Sequence, residues 1–200
     1  MACAAAPGSP GLAAVSAHFC LVYTGTPRLA KHLLVEVLRR WWASAPLAAA
    51  CQGLERAVVG GGSEEEEEAG DAEAGGVRAV VGWLVRDAPR AAAALQAGDL
   101  PRLGQLMHKY HAQKRAMAGP TYESRGLEQL VGALRPLAHG VVCCGAGGGG
   151  FVAVLCKDGP CEPGTASWAS VAAVAARHGG TVHAAALVEG GLQVECLRHV

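Results

Sequence analysis

The stretch with most chemical potential is residues 141–156, in which two short apolar runs flank Gly145-Ala146-Gly147-Gly148-Gly149-Gly150. Six consecutive residues with almost no side chain bury no apolar area. Such a segment makes sense where the backbone takes positive φ or lies close against another group. Successive N–H groups with no Cβ in the way can converge on an anion, which is how glycine loops hold phosphates. No Gly-Lys-Ser/Thr follows, and the glycines lead into an apolar run of strand character, so neither the P-loop nor the dinucleotide fingerprint is present. Taken alone, the residues fit either a loop beside a phosphate or a plain glycine hairpin.

A second candidate is Thr24-Gly25-Thr26-Pro27-Arg28. It has turn chemistry followed by proline in the first turn of a helix. Arg28 at that helix start suits bidentate contact with a substrate phosphate, the alternative being a surface salt bridge. Thr24 reads first as turn and cap. His108 and His111 share a helix at a three-residue spacing, but no further ligand is well placed, so a solvated face is expected and no metal site. Cys143 and Cys144 are adjacent in a strand, point to opposite faces and read as packing. Trp41 and Trp42 at a helix end read as core and rim. The eight cysteines, at 3, 20, 51, 143, 144, 156, 161 and 196, lack C-x-x-C spacing and lie in apolar surroundings. They are expected to be buried free thiols in a reducing compartment, which suggests a cytoplasmic chain.

The elements that must position these residues follow from periodicity. Residues 1–15 are expected to be a loose tail and residues 16–23 a strand. A helix follows, with Leu29, Leu33, Val37 and Trp41 on an apolar face joined by Leu34 and Leu38. A second helical stretch at 47–59 runs into glycines and Glu64–Glu68, so residues 60–76 read as a disordered acidic insertion. Helical pattern resumes at Val77, with Pro89 expected to kink or divide it. Gly98-Asp99-Leu100-Pro101 is a break, and Leu103, Leu106, Met107 and Tyr110 carry the next helix, closed by Gly119-Pro120. A shorter helix follows Ser124, with Leu127, Leu130, Val131 and Leu134. Beyond the glycine loop come a strand, an alanine-rich helix at 165–178, and strands at 181–188 and 192–197. The order is strand, helices, strand, strand, helix, strand, strand. It predicts an α+β domain over 16–200, with an antiparallel sheet packed against helices.

Two hundred residues suffice for one such domain. Only 4% are aromatic against 51% hydrophobic by the broad count, so the core must rest on Ala, Val and Leu. Lys plus Arg equals Asp plus Glu at 17 each. That balance removes the electrostatic footprint of a nucleic-acid binder. No apolar run approaches the roughly 20 residues of a membrane span. The first 35 residues hold no Asp or Glu, yet they lack a basic n-region and end in a strand, which argues against a targeting peptide.

Leu21-Val22-Tyr23-Thr24-Gly25, followed by Arg28-Leu29-Ala30 and a Leu-rich helix, together with Gly145-Ala146-Gly147-Gly148-Gly149-Gly150-Phe151, resembles the C-terminal domain of GHMP-type sugar kinases. The similarity is closest to L-fucokinase, including the plant enzyme in which the kinase is fused to a nucleotidyltransferase. It extends over about residues 16–198 and includes Gln113-Lys114 in the helical region between the motifs. Thr26-Pro27 and the Glu64–Glu68 insertion depart from the family's pattern.

The resemblance implies a ferredoxin-like core and a two-lobed kinase with ATP and sugar in the cleft between lobes. Residues 145–150 would match the family's third motif and border the nucleotide, and Thr24, Gly25 and Arg28 would lie near substrate. It also implies ATP and Mg2+ as cofactors, a sugar such as L-fucose as substrate, and a role in GDP-fucose salvage. The family's Gly-Leu-Gly-Ser-Ser phosphate loop and first-lobe acidic residue have no counterpart here; Gly8-Ser9-Pro10-Gly11-Leu12 has the residue types in scrambled order. Residues 1–200 alone are therefore expected to be inactive, with no catalytic residue of their own and a dependence on an N-terminal GHMP lobe. The alternative is a non-catalytic orphan domain acting as a binding module.

Overall fold

A computed structural model describes residues 10–27, 31–43, 64–119, 122–145 and 147–187. Its elements are α1 (Pro10–Ala17), β1 (Phe19–Tyr23), α2 (Lys31–Ala43), α3 (Glu64–Ala97), α4 (Leu100–Ala118), α5 (Arg125–Leu134), β2 (Ala138–Cys143), β3 (Phe151–Cys156), α6 (Ala166–Arg177) and β4 (Thr181–Ala184). One antiparallel sheet of order β2-β3-β1-β4 unites the strands. The expected α+β architecture is present. The expected strand at 192–197 and helix at 47–59 lie outside the described residues.

The main core forms where the sheet's inward positions meet α5 and α6. Cys20 and Val22 of β1, Val141 and Cys143 of β2, and Val152, Val154 and Cys156 of β3 all project to it. They meet Leu127, Leu130, Val131 and Leu134 of α5 and Val171, Val174 and Ala175 of α6. All four apolar positions read from the α5 periodicity are buried. The caps are local: Asp99, Ser124 and Thr165 each accept the N–H three residues on, at 3.0, 3.3 and 3.3 Å, and so start α4, α5 and α6.

The helix α4 runs along the outer edge of β2, covering a sheet edge that would otherwise present unpaired backbone groups. Its approach is close because both sides use glycine. A Cβ on Gly104 would fall 2.2 Å from the His139 carbonyl oxygen, and one on Gly140 would fall 2.7 Å from the Gly104 Cα. Around α4, α3 adds a smaller cluster of Ala79, Val80 and Trp83 with Met117. Arg40 of α2 donates to the Ala116 and Met117 carbonyls at 2.9 and 3.2 Å, tying α2 to the end of α4.

In four places the described residues differ from the expectation. Within the expected tail Pro10 starts α1, in which Gly11 and Val15 are buried, and the strand begins at Phe19; residues 1–9 lie outside the described residues. A short Ala-rich segment with little amphipathic signal becomes a helix because it docks on α3. Pro89 does not divide α3. The non-helical residue in that span is Gly76, at φ +60 and ψ −154. Residues 64–76, read as a disordered loop, carry helical backbone up to that break, consistent with the helix preference of Glu and Ala; residues 60–63 lie outside the described residues. On α2, Leu34, Leu38 and Trp42 are exposed, Trp42 at 76%, so the apolar stripe is only partly covered.

Candidate functional site

The glycine loop joins β2 to β3, and Gly145, Gly147, Gly148, Gly149 and Gly150 all take positive φ. It is clasped to the turn after β1. The Thr24 N–H donates to the Gly150 carbonyl at 2.8 Å, and the Gly150 N–H donates to the Thr26 carbonyl at 2.9 Å. The two stretches singled out in the sequence are thus joined backbone to backbone, 126 residues apart in the chain. Thr24 also hydrogen bonds through its hydroxyl to the Thr26 backbone, donating at 3.3 Å and accepting at 3.4 Å, as a turn residue does. Gly25, at φ +74, lies against the Gly179 carbonyl beyond α6. Arg28 and Ala146 lie outside the described residues.

A recess of about 90 Å³ opens between these parts, lined by Thr24, Thr26, Gly148, Gly149, His178 and the first turn of α5 at Ser124, Gly126 and Leu127. Its walls are hydroxyls, glycine backbone and the positive end of a helix dipole, a setting that suits an anion. None of the described residues lining it carries a carboxylate. Ligand pockets usually measure about 300–1,000 Å³, so the recess corresponds to one wall of a site.

Behind the loop lies a polar network that the sequence reading largely missed. Lys114 of α4, only 8% exposed, donates from Nζ to the Gly145 carbonyl. Its ammonium sits 5.1 Å from the Tyr110 ring centroid and 5.8 Å from that of Tyr122. Burial pushes its pKa down. Tyr122 lies under Gly147, and burial pushes the Cys143 thiol up to about 12. Cys143 is buried and Cys144 exposed, as opposite strand faces require.

His111, expected on a solvated face, is 3% exposed. Its Nε2 lies 2.8 Å from Glu123 Oε1, and its Nδ1 accepts the Cys143 N–H at 3.5 Å on the edge of β2 that α4 covers. Burial pulls its pKa below the usual histidine value against the pull of Glu123. A neutral ring protonated on Nε2 satisfies both contacts, with one donor and one acceptor. His108 is half-buried and likewise lowered by burial. On the neighbouring face, Gln113 donates to Asp87 Oδ2 at 3.0 Å, and Lys109 and Arg90 each reach the same carboxylate at 3.2 Å. Burial alone would raise the Asp87 pKa; hydrogen bonds from Gln113 and Lys109 outweigh it and hold the carboxyl low. The available signal was the helical spacing of His111, Lys114 and Ala118, which places polar residues on a buried face.

Among the described residues no helix is long and apolar enough to cross a membrane. No curated protein matches the chain. Among solved structures, mevalonate kinase from L. major, determined in complex with R-mevalonate, aligns with a TM-score of 0.49 at 22% identity, covering 80% of this chain. This chain spans 38% of the length of that kinase. A family model described as GHMP kinases C terminal matches residues 91–160, a span that holds α4, α5, β2, the whole glycine loop and β3. Residues 91–160 therefore match the C-terminal model of the GHMP kinases, and the described residues fold as helices with one four-stranded antiparallel sheet.

Proposed function

We propose that this chain supplies the second lobe of an ATP-dependent sugar kinase resembling L-fucokinase, in which residues 145–150 and the Thr24–Thr26 turn border the transferred phosphate. The carrying observation is the reciprocal clasp between Thr24, Thr26 and Gly150, which sets both motifs beside the N-terminus of α5. Phosphoryl transfer is catalysed chiefly by positioning and by stabilising charge. Hydroxyls, glycine N–H groups and a helix dipole held on rigid elements contribute to the first and, in part, to the second.

The recess takes a phosphate and not a nucleotide, so ATP, Mg2+ and the sugar would be bound with an N-terminal GHMP lobe closing the cleft. Arg28, in the stretch of chain between the turn and α2, would join them. The free thiols favour a reducing, cytoplasmic setting. The test is fucose-dependent ATP consumption by purified residues 1–200, alone and joined to a GHMP first lobe that carries the phosphate loop. Turnover is expected only in the two-lobed form. Turnover by residues 1–200 above a heat-killed control refutes the dependence on the first lobe, and preference of the two-lobed form for a non-sugar alcohol refutes the assignment to sugars.

A further inference from the structure

Away from the glycine loop, three cysteines that the sequence scatters are gathered into one buried cluster. Cys20 lies in β1, Cys156 ends β3, and Cys161 lies in the loop that follows. Their sulfur atoms all lie within 4.8 Å of one another, and all three residues are buried. The β1–β3 register pairs Cys20 with Val154, so Cys156 is two residues along on the same face. The other two positions are pinned by backbone. The Cys156 N–H donates to the His18 carbonyl at 2.8 Å and the Cys161 N–H donates to the Ala17 carbonyl at 2.7 Å.

We propose that Cys20, Cys156 and Cys161 form a three-thiolate site for a soft, thiophilic cation of the zinc(II) or copper(I) class. Thiolate sulfur binds zinc at about 2.3 Å, so three sulfurs around one such ion stand about 4 Å apart, within the spread the cluster already has. Soft sulfur donors without oxygen ligands select this class of ion over magnesium or calcium. A disulfide would engage two of the sulfurs and leave the third unused, whereas a shared centre engages all three.

Cys161 also lines an open recess of about 630 Å³ between α1, β1 and the end of β4, which offers a path to the site. The sequence hid this arrangement because Cys156 and Cys161 form C-x4-C and the third ligand precedes them by more than a hundred residues.

The test uses the full 200-residue chain, reduced and stripped of metal under inert gas. Cd2+ is titrated while the ultraviolet sulfur-to-cadmium charge-transfer band is followed, and Zn2+ affinity is measured against a chromophoric chelator. We expect one charge-transfer equivalent that is lost in C161S and in C20S, and Zn2+ binding at least about tenfold weaker in each. C144S, altering an exposed thiol outside the cluster, should match the parent. Circular dichroism and melting identify which variants remain folded, and C161A serves if C161S does not. Zn2+ should raise the melting temperature of the parent and leave that of the folded Cys161 variant unchanged. The proposal is overturned if the parent shows no thiolate band, if the folded Cys161 variant binds as tightly as the parent, or if mass mapping shows that the metal-free cluster closes to a disulfide that Zn2+ does not prevent.

Discussion

Gly147→Ala tests whether the glycine loop is shaped by what lies beneath it. At φ +84 an L-residue incurs about 1–2 kcal/mol of backbone strain. The added Cβ would also lie 2.3, 2.7 and 2.9 Å from Cε2, Cδ2 and Cζ of Tyr122, where carbon contacts settle near about 3.5–4.0 Å. The ring must move by roughly 1 Å. It has little freedom to do so, being fully buried and in edge contact with His111, with centroids 5.7 Å apart. Overpacking of this kind adds about 1–3 kcal/mol, for a total near 2–5 kcal/mol. Gly145 is the internal control, since at φ +63 it has nothing within 4 Å of its virtual Cβ. Gly145→Ala should therefore show the backbone part alone, about 1–2 kcal/mol. Denaturant midpoints at constant slope give both values. If Gly147→Ala is no more destabilising than Gly145→Ala, the steric reasoning fails. In a two-lobed enzyme, Gly147→Val and Gly148→Val should also lower turnover per folded molecule by about 100-fold if the loop borders the transferred phosphate. Unchanged turnover would leave it as a plain hairpin.

Two further predictions concern the network behind the loop. Because burial depresses the folded pKa of His111, and of His108 and His139 likewise, the unfolded chain takes up protons first as pH falls. The stability these residues contribute is full above the ordinary histidine value of about 6.5 and is lost as pH falls through the lower folded values. Melting temperature should therefore drop on acidification below about pH 6.5, and His111→Gln, which keeps one donor and one acceptor, should make that slope shallower; an identical slope in the variant refutes the neutral-ring assignment. Asp87→Ala removes the acceptor of the buried Gln113 amide and of the Lys109 ammonium and should cost about 2–4 kcal/mol by denaturant unfolding, with less than about 0.5 kcal/mol counting against the network.

Much of the architecture was legible in the chain because it rests on local rules. Asp99-Leu100-Pro101, Ser124 and Thr165 announce helix starts through caps that act within one turn. The spacing of Leu127, Leu130, Val131 and Leu134 identifies a buried face without reference to any partner. Gly147 illustrates the same for the loop: a residue that must take positive φ is visible as glycine wherever it lies. Local rules misled where the deciding contact was distant. Residues 10–17 have little amphipathic signal and become helical by docking on α3, and Pro89 is accommodated within a helix whose break falls at Gly76.

The candidate sites divide along the same line. The glycine loop and the Thr24-Gly25 turn stood out by composition, but the two hydrogen bonds that join them exist only because β1 and β3 are neighbours in the sheet. His111 looked like one of two histidines on a wet face, since the sequence does not show that α4 lies along the edge of β2 or that Glu123 arrives from the next loop. Cys20, Cys156 and Cys161 show the limit most plainly. Their types were evident in the chain, while strand register and two backbone bonds to Ala17 and His18 brought the sulfurs together. Sequence alone determined which backbones need glycine and which faces need burial, because those demands act within a few residues. Tertiary structure decided which polar groups meet, because a hydrogen bond or a shared ion depends on distance in space and leaves no period in the chain.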